Sequence, residues 1–143
     1  MSIEIQSKAV VVDDDLVYLQ IVGLMLKKLG FQDIKLFSNP IDALGYIETT
    51  QIDLIVSDWD MPLMTGLEFL EKIRKNPNTN SVPVILNTGN RSEAYWRQAI
   101  AAGVTEFLFK PFRYSDFRDS VLIAIDLARY DRRHHDSMSK LAC

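Results

Sequence analysis

The sequence predicts an α/β fold, a five-stranded parallel sheet with helices on both faces. Three observations carry this expectation. Short runs rich in β-branched residues alternate five times with longer helical patterns, the signature of βα units closing on a parallel sheet. Three of the runs, Ala9-Val-Val-Val12, Ile52-Asp-Leu-Ile-Val56 and Val82-Pro-Val-Ile-Leu86, are mostly continuous rather than alternating in apolar character, as expected of strands covered on both faces. A chain of 143 residues that is 48% hydrophobic has the size and the apolar surface for one substantial core.

The first strand, Lys8–Val12, feeds a helix over Leu16–Leu29, and Gly30 supplies the left-handed residue that ends it. The second strand, Asp33–Phe37, is followed by Ser38 or Asn39 as a cap and by Pro40 at the first position of a helix running to Glu48. The third strand, Ile52–Ser57, precedes a helix over Gly66–Lys75. The fourth, Val82–Asn87, contains Pro83 near its beginning, the one place in a strand where a residue without an N–H is tolerated. A helix over Ser92–Ala102 follows and Gly103 closes it. The fifth strand, Thr105–Phe109, leads into a last helix over Tyr114–Arg133. Residues 8–133 are read as one domain, 1–7 as an N-terminal extension, and 134–143, where the periodicity fades, as a flexible C-terminal tail or a prolonged helix.

Charge and composition exclude several classes. A net charge of −3 and a pI near 5.3 leave no clustered basic face for nucleic acid, so no direct nucleic-acid contact is expected. Residues 1–7 lack the pattern of a signal peptide and no apolar stretch approaches a bilayer span, so a cytoplasmic protein without membrane insertion is expected. The single cysteine, Cys143, offers neither an internal disulfide nor a cysteine metal cluster.

Parallel α/β sheets bind ligands beyond the carboxyl ends of their strands, so the residues there belong together. Asp13, Asp14 and Asp15 follow the first strand, Asp58 and Asp60 the third, Thr88 the fourth, and Lys110 with Pro111 the fifth. Carboxylates converging in one crevice repel one another, and a cation that prefers oxygen ligands relieves the repulsion; Mg²⁺ fits best. A hydroxyl and an ammonium beside that metal complete a pocket for a tetrahedral dianion.

Over about Lys8–Arg129 the sequence resembles the receiver domains of bacterial response regulators. The motifs that carry the resemblance are Val11-Val-Asp-Asp14, Ile55-Val-Ser-Asp-Trp-Asp-Met-Pro62 with Gly66, Asn87-Thr-Gly89 and Phe107-Leu-Phe-Lys-Pro-Phe112, in that order. The resemblance implies a flavodoxin-like strand order, 2-1-3-4-5, and a Mg²⁺-dependent aspartyl-phosphate switch. It implies Asp58 as phospho-acceptor. It implies a metal held by Asp13, Asp14, Asp58 and the backbone carbonyl of Asp60, with Asp14 a direct ligand and Asp13 acting through water. Lys110 and Thr88 take the roles of phosphoryl-binding residues, and Phe107 that of the rotating aromatic. Asp60 and Asn90 fall where receivers vary and tune dephosphorylation. Asp15 lies outside the acidic pair and is read as a carboxylate favoured by the start of the first helix.

The resemblance further implies a histidine kinase or a histidine phosphotransfer protein as phosphodonor. It implies a downstream protein that reads the face of the fourth helix, fifth strand and fifth helix, where a homodimer is also an option. No output domain is expected, and the pathway is chemotaxis-like or a phosphorelay. Tyr95 and Trp96 are candidate anchors on that face, unless one of them packs on the sheet. On the first helix, Leu19, Val22, Leu26 and Leu29 share the side expected to face the sheet, with Tyr18 and Met25 at its margin. Val17, Ile21 and Leu24 form a second apolar stripe, read as the docking surface for the phosphodonor's helices.

Two rival readings fit parts of the sequence. Asp58-Trp-Asp60 also fits the Asp-x-Asp pair of haloacid-dehalogenase-type phosphatases, but that pair normally follows the first strand of the core rather than the third. A receiver-shaped adaptor without phosphorylation is disfavoured by the complete set of pocket residues.

Overall fold

The computed structural model describes residues 7–141; all of the expected N-terminal extension except Ser7 lies outside the described residues. The strands are β1 (Lys8–Val12), β2 (Asp33–Phe37), β3 (Leu54–Asp58), β4 (Val84–Thr88) and β5 (Glu106–Phe109). They alternate with α1 (Leu16–Leu29), α2 (Pro40–Thr49), α3 (Gly66–Lys75), α4 (Glu93–Ala101) and α5 (Tyr114–Leu141). All pairings are parallel, and the strand order is β2-β1-β3-β4-β5, as the resemblance implied.

The pleat sends alternate residues to opposite faces and so divides the core into two layers. Ala9, Val11, Leu54, Val56 and Ile85 pack against Leu19, Val22 and Leu26 of α1 and Phe117 and Val121 of α5. Val10, Val12, Ile55, Val84 and Leu86 pack against α2, α3 and α4 through Ala43, Ile47, Phe69, Leu70, Ile73 and Ala99. Burying each large aliphatic side chain contributes about 1.5–3 kcal/mol. Continuous apolar runs in the central strands are therefore what both layers require.

The helix ends carry their own chemistry. Asp15 caps α1, its carboxylate accepting from the N–H groups of Val17 and Tyr18, which is the reading given to it from sequence. Gly30 adopts φ 113° beyond the end of α1. Asn39, not Ser38, caps α2, and Thr65 with Glu68 closes a capping box at the start of α3.

Three boundaries differ from expectation by two residues or more. β3 and β4 begin two residues later than their apolar runs, so Asp58 and Thr88 are the last residues of their strands rather than the first beyond them. In β4 the cause is Pro83, which has no N–H to give and contributes only its carbonyl, accepting from Ile55 N at 2.9 Å. The last helix does not stop near Arg133. It continues to Leu141, because no Gly or Pro interrupts 114–141 and extending a formed helix is easier than starting one. The segment 134–141, expected as a tail, is helical.

Candidate functional site

The strand order reverses between β1 and β3, and the crevice above that point collects the candidate residues. Asp13 continues from β1, its N–H held by Phe37 O at 3.1 Å. Its two carboxylate oxygens are already engaged: Oδ1 accepts from Asp15 N at 2.9 Å and Oδ2 from Lys110 Nζ at 3.0 Å. Lys110, which precedes a cis bond to Pro111, reaches Asp58 Oδ1 at 3.2 Å as well. Carboxylate oxygens of Asp13, Asp14 and Asp58 lie within 4.8 Å of one another. Asp13 and Asp58 are buried, and Asp14 is exposed at the mouth.

Burial raises the pKa of Asp58 to about 6, with the Asp13 charge adding to the rise and Lys110 opposing it. Burial also raises Asp13, against hydrogen bonds from Asp15 and Lys110. Burial alone would lower Lys110, but the hydrogen bond to Asp13 and the charge of Asp58 outweigh it and leave the ammonium favoured. The pocket therefore holds two buried carboxylates on one cation, an arrangement that a further cation would stabilise.

Thr88, wholly buried, donates its hydroxyl to Asp60 Oδ2 at 3.2 Å, and its Oγ1 accepts from Asn90 N at 3.0 Å. Asp60 and Asn90 thus both meet Thr88 directly. Phe107 stands edge-on to Trp59 (centroids 6.1 Å apart, 81°) and to Phe109 (5.3 Å, 82°).

The family model described as response regulator receiver domain matches residues 9–122. The chain belongs to this family. It is 29% identical over 114 residues to the chemotaxis protein CheY-3 of Vibrio cholerae, covering 80% of this chain and 88% of that one. It is 40% identical over 82 residues to the cyclic di-GMP phosphodiesterase response regulator RpfG of Xanthomonas campestris; that match takes in 57% of this chain, which spans only 22% of the RpfG length. Among solved structures, the receiver domain of a sensor histidine kinase from Pseudomonas aeruginosa, with a magnesium ion in its active-site cleft, superposes with a TM-score of 0.77. Identity there is 26%, over 85% of this chain and 98% of that one.

The receiver surface around the site follows the sequence expectation on α1. Leu19, Val22 and Leu26 are buried and Tyr18, Met25 and Leu29 partly so, while Val17 (68% exposed), Ile21 (38%) and Leu24 (66%) face outward. Of the two aromatics of α4, Tyr95 stacks on Trp59 (4.4 Å, 13°) and only Trp96 stands exposed. Two side chains at the site had no role from sequence. Trp59 is buried between Tyr95 and Phe107, contacts that join distant segments and leave no local pattern. Tyr18 lies under Lys110; its place one turn after the acidic pair was the only signal.

The raised pKa of Asp58 carries a stability consequence for this receiver without metal. A folded value of about 6 against the ordinary 3.8 means the fold binds the proton more tightly than the unfolded chain does. The stability this gives is complete below the ordinary value and lost as pH rises through about 6. Asp58→Asn, which removes the charge, is expected to raise stability by on the order of 2 kcal/mol at pH above neutrality. Denaturant titrations in chelator check this, and the gain should shrink toward acid pH.

Proposed function

We propose that this receiver accepts a phosphoryl group on Asp58 from a phosphohistidine of a histidine kinase or histidine phosphotransfer protein, in a Mg²⁺-dependent reaction, and signals to a partner protein. The observation that carries this reading is the convergence of Asp58 with Asp13, Asp14 and Lys110 in one crevice. A small phosphodonor, with Asp58→Asn as the control, tests it.

The pocket suits the metal: every side-chain donor is a carboxylate oxygen, the type Mg²⁺ prefers, and the three lie close enough to share one ion. Asp13, Asp14, Asp58 and the backbone carbonyl of Asp60 would hold it. When bound, Mg²⁺ neutralises charge on the phosphoryl oxygens. The rest of the chemistry belongs to this chain. A carboxylate oxygen of Asp58 forms the bond to phosphorus as the phosphorus–nitrogen bond of the donor breaks, and the electron pair stays with the imidazole. Lys110 Nζ exchanges Asp58 Oδ1 for a phosphoryl oxygen. The Thr88 hydroxyl leaves Asp60 Oδ2 for another, and the loop after β4 follows because Asn90 N is bonded to the same Oγ1. In this reading Phe107, which lies edge-on to Trp59, is the aromatic that turns inward as Thr88 moves. The Asp60 carboxylate competes with the phosphoryl group for Thr88, which supports a tuning role for Asp60 and Asn90.

Asp14 and Asp15 separate the metal from the fold. Asp14→Asn is expected to weaken Mg²⁺ binding about tenfold or more with little loss of stability, because it removes a charged ligand and no internal hydrogen bond. Asp15→Asn keeps a competent cap and should change neither greatly, whereas Asp15→Ala should cost about 1 kcal/mol of stability with metal binding nearly intact. Calorimetric metal titration paired with thermal melts checks both; equal losses of affinity would reject the ranking.

The outward stripe of Val17, Ile21 and Leu24 begins one turn beyond the pocket and is where the donor's helices would lie. Ile21→Asp with Leu24→Lys should slow transfer from the cognate kinase at least about tenfold and leave labelling by a small donor unchanged. Loss of both reactions would assign the stripe to the fold instead. The face of α4, β5 and α5, with Trp96 exposed on it, is the surface proposed for a downstream partner or a second copy of the chain. A cytoplasmic setting accords with this reading; among the described residues no helix is long and apolar enough to cross a membrane.

A further inference from the structure

We infer that Tyr18 is a positioning residue for Lys110, its ring face holding the ammonium over the pocket; the inference rests on phosphoryl acceptance at Asp58. Lys110 Nζ lies 4.1 Å from the centroid of the Tyr18 ring, well within the range in which the negative face of an aromatic attracts a cation. An ammonium has three N–H groups and no acceptor. Two directions are taken by Asp13 Oδ2 at 3.0 Å and Asp58 Oδ1 at 3.2 Å, and the ring covers a further side. The lysine side chain is only 15% exposed in this cage, so a flexible four-carbon stem that carries about 2 kcal/mol of rotamer entropy is held in one place.

The ring is itself fixed from the core outward. Phe117 is wholly buried under the sheet; Phe112 stacks on it (5.8 Å, 15°); Tyr18 meets Phe112 edge-on (5.8 Å, 65°). From the other side, Tyr18 N donates to the Asp15 cap at 3.3 Å, which places the residue one turn from the acidic pair. An aromatic face suits this task better than a third carboxylate would. Phosphoryl acceptance requires Nζ to slide from Asp58 Oδ1 to a phosphoryl oxygen. A ring attracts without fixing a bond direction, so the cation can move across it, whereas a carboxylate would retain it by a directed hydrogen bond.

The test compares the native chain with Tyr18→Phe, which keeps the ring, and Tyr18→Leu, which keeps apolar volume but no ring. It also introduces Tyr18→Leu into a Lys110→Met background, with thermal melts verifying that each protein is folded. Without metal or donor, proton NMR of labelled lysine should place the Lys110 ε-methylene upfield in the native and Tyr18→Phe proteins and return it toward the ordinary lysine position in Tyr18→Leu. With a small phosphodonor and saturating Mg²⁺, Tyr18→Leu should label about fivefold more slowly than native, and Tyr18→Phe within about twofold of native. In the Lys110→Met background the leucine should slow nothing further. A Tyr18→Leu rate equal to a normally labelled native protein, or the same fivefold loss without Lys110, overturns the inference and leaves the acceptor reading standing. A native chain that takes no label overturns the acceptor reading and this role with it.

Discussion

Gly66→Ala is expected to destabilise the fold by on the order of 3 kcal/mol or more and to remove phosphoryl acceptance with it, whereas Gly45→Ala should stabilise by about 0.5–1 kcal/mol. The two substitutions add the same methyl group in opposite surroundings. A Cβ on Gly66 would collide with the backbone carbonyl oxygen of Asp58 and come within 2.8 Å of the Trp59 Cα. Neither is the end of a flexible side chain. Gly66 N also donates to Trp59 O at 2.8 Å, so α3 starts directly against the segment that carries Asp58. Relief requires α3 or the end of β3 to move, and Asp58 moves with the latter. A Cβ on Gly45, on the exposed face of α2, meets nothing within 4 Å, and alanine there gains helix propensity and lowers the entropy of the unfolded chain. Paired denaturant titrations read both effects. A stable, normally phosphorylated Gly66→Ala protein would show that the contact between α3 and β3 is not rigid.

Much of the architecture was legible because its causes are local. The apolar run of β1, the carboxylate of Asp15 at the start of α1, Asn39 ahead of Pro40, and Gly30 at φ 113° are each set by a few neighbouring residues. The acidic pocket was legible for a different reason: a parallel sheet brings its strand ends together, so Asp13, Asp58 and Lys110 meet once the strands are recognised. What was hidden depends on partners far along the chain. Pro83 delays β4 because of a bond it cannot make to its neighbour, and the pattern of residues 82–86 records only their apolar character. Trp59 and Tyr95 are 36 positions apart by their numbers, and no periodicity joins them. Gly66 was visible as part of a motif, but the backbone contact that requires glycine there appears only in three dimensions. Tyr18 looked like the margin of a helix face, and only the position of Lys110 gives its ring a second role.

The central claim is that Asp58 is the chemically competent carboxylate of this site, and intact-mass measurement after incubation with a small phosphodonor tests it most directly. Several carboxylates share the crevice, and Lys110 reaches two buried ones, Asp13 at 3.0 Å and Asp58 at 3.2 Å; Asp13 has its second oxygen committed to Asp15 N, which favours Asp58 as the acceptor. An amide at position 58 would keep the size and lose the anionic nucleophile. The account predicts that the native chain with Mg²⁺ gains a single phosphoryl group, that chelation of the metal or Lys110→Met lowers the labelled fraction steeply, and that Asp58→Asn gains none while remaining folded. Undiminished labelling of Asp58→Asn, or a phosphoryl group mapped to Asp13, Asp14 or Asp60 in the native chain, would contradict it.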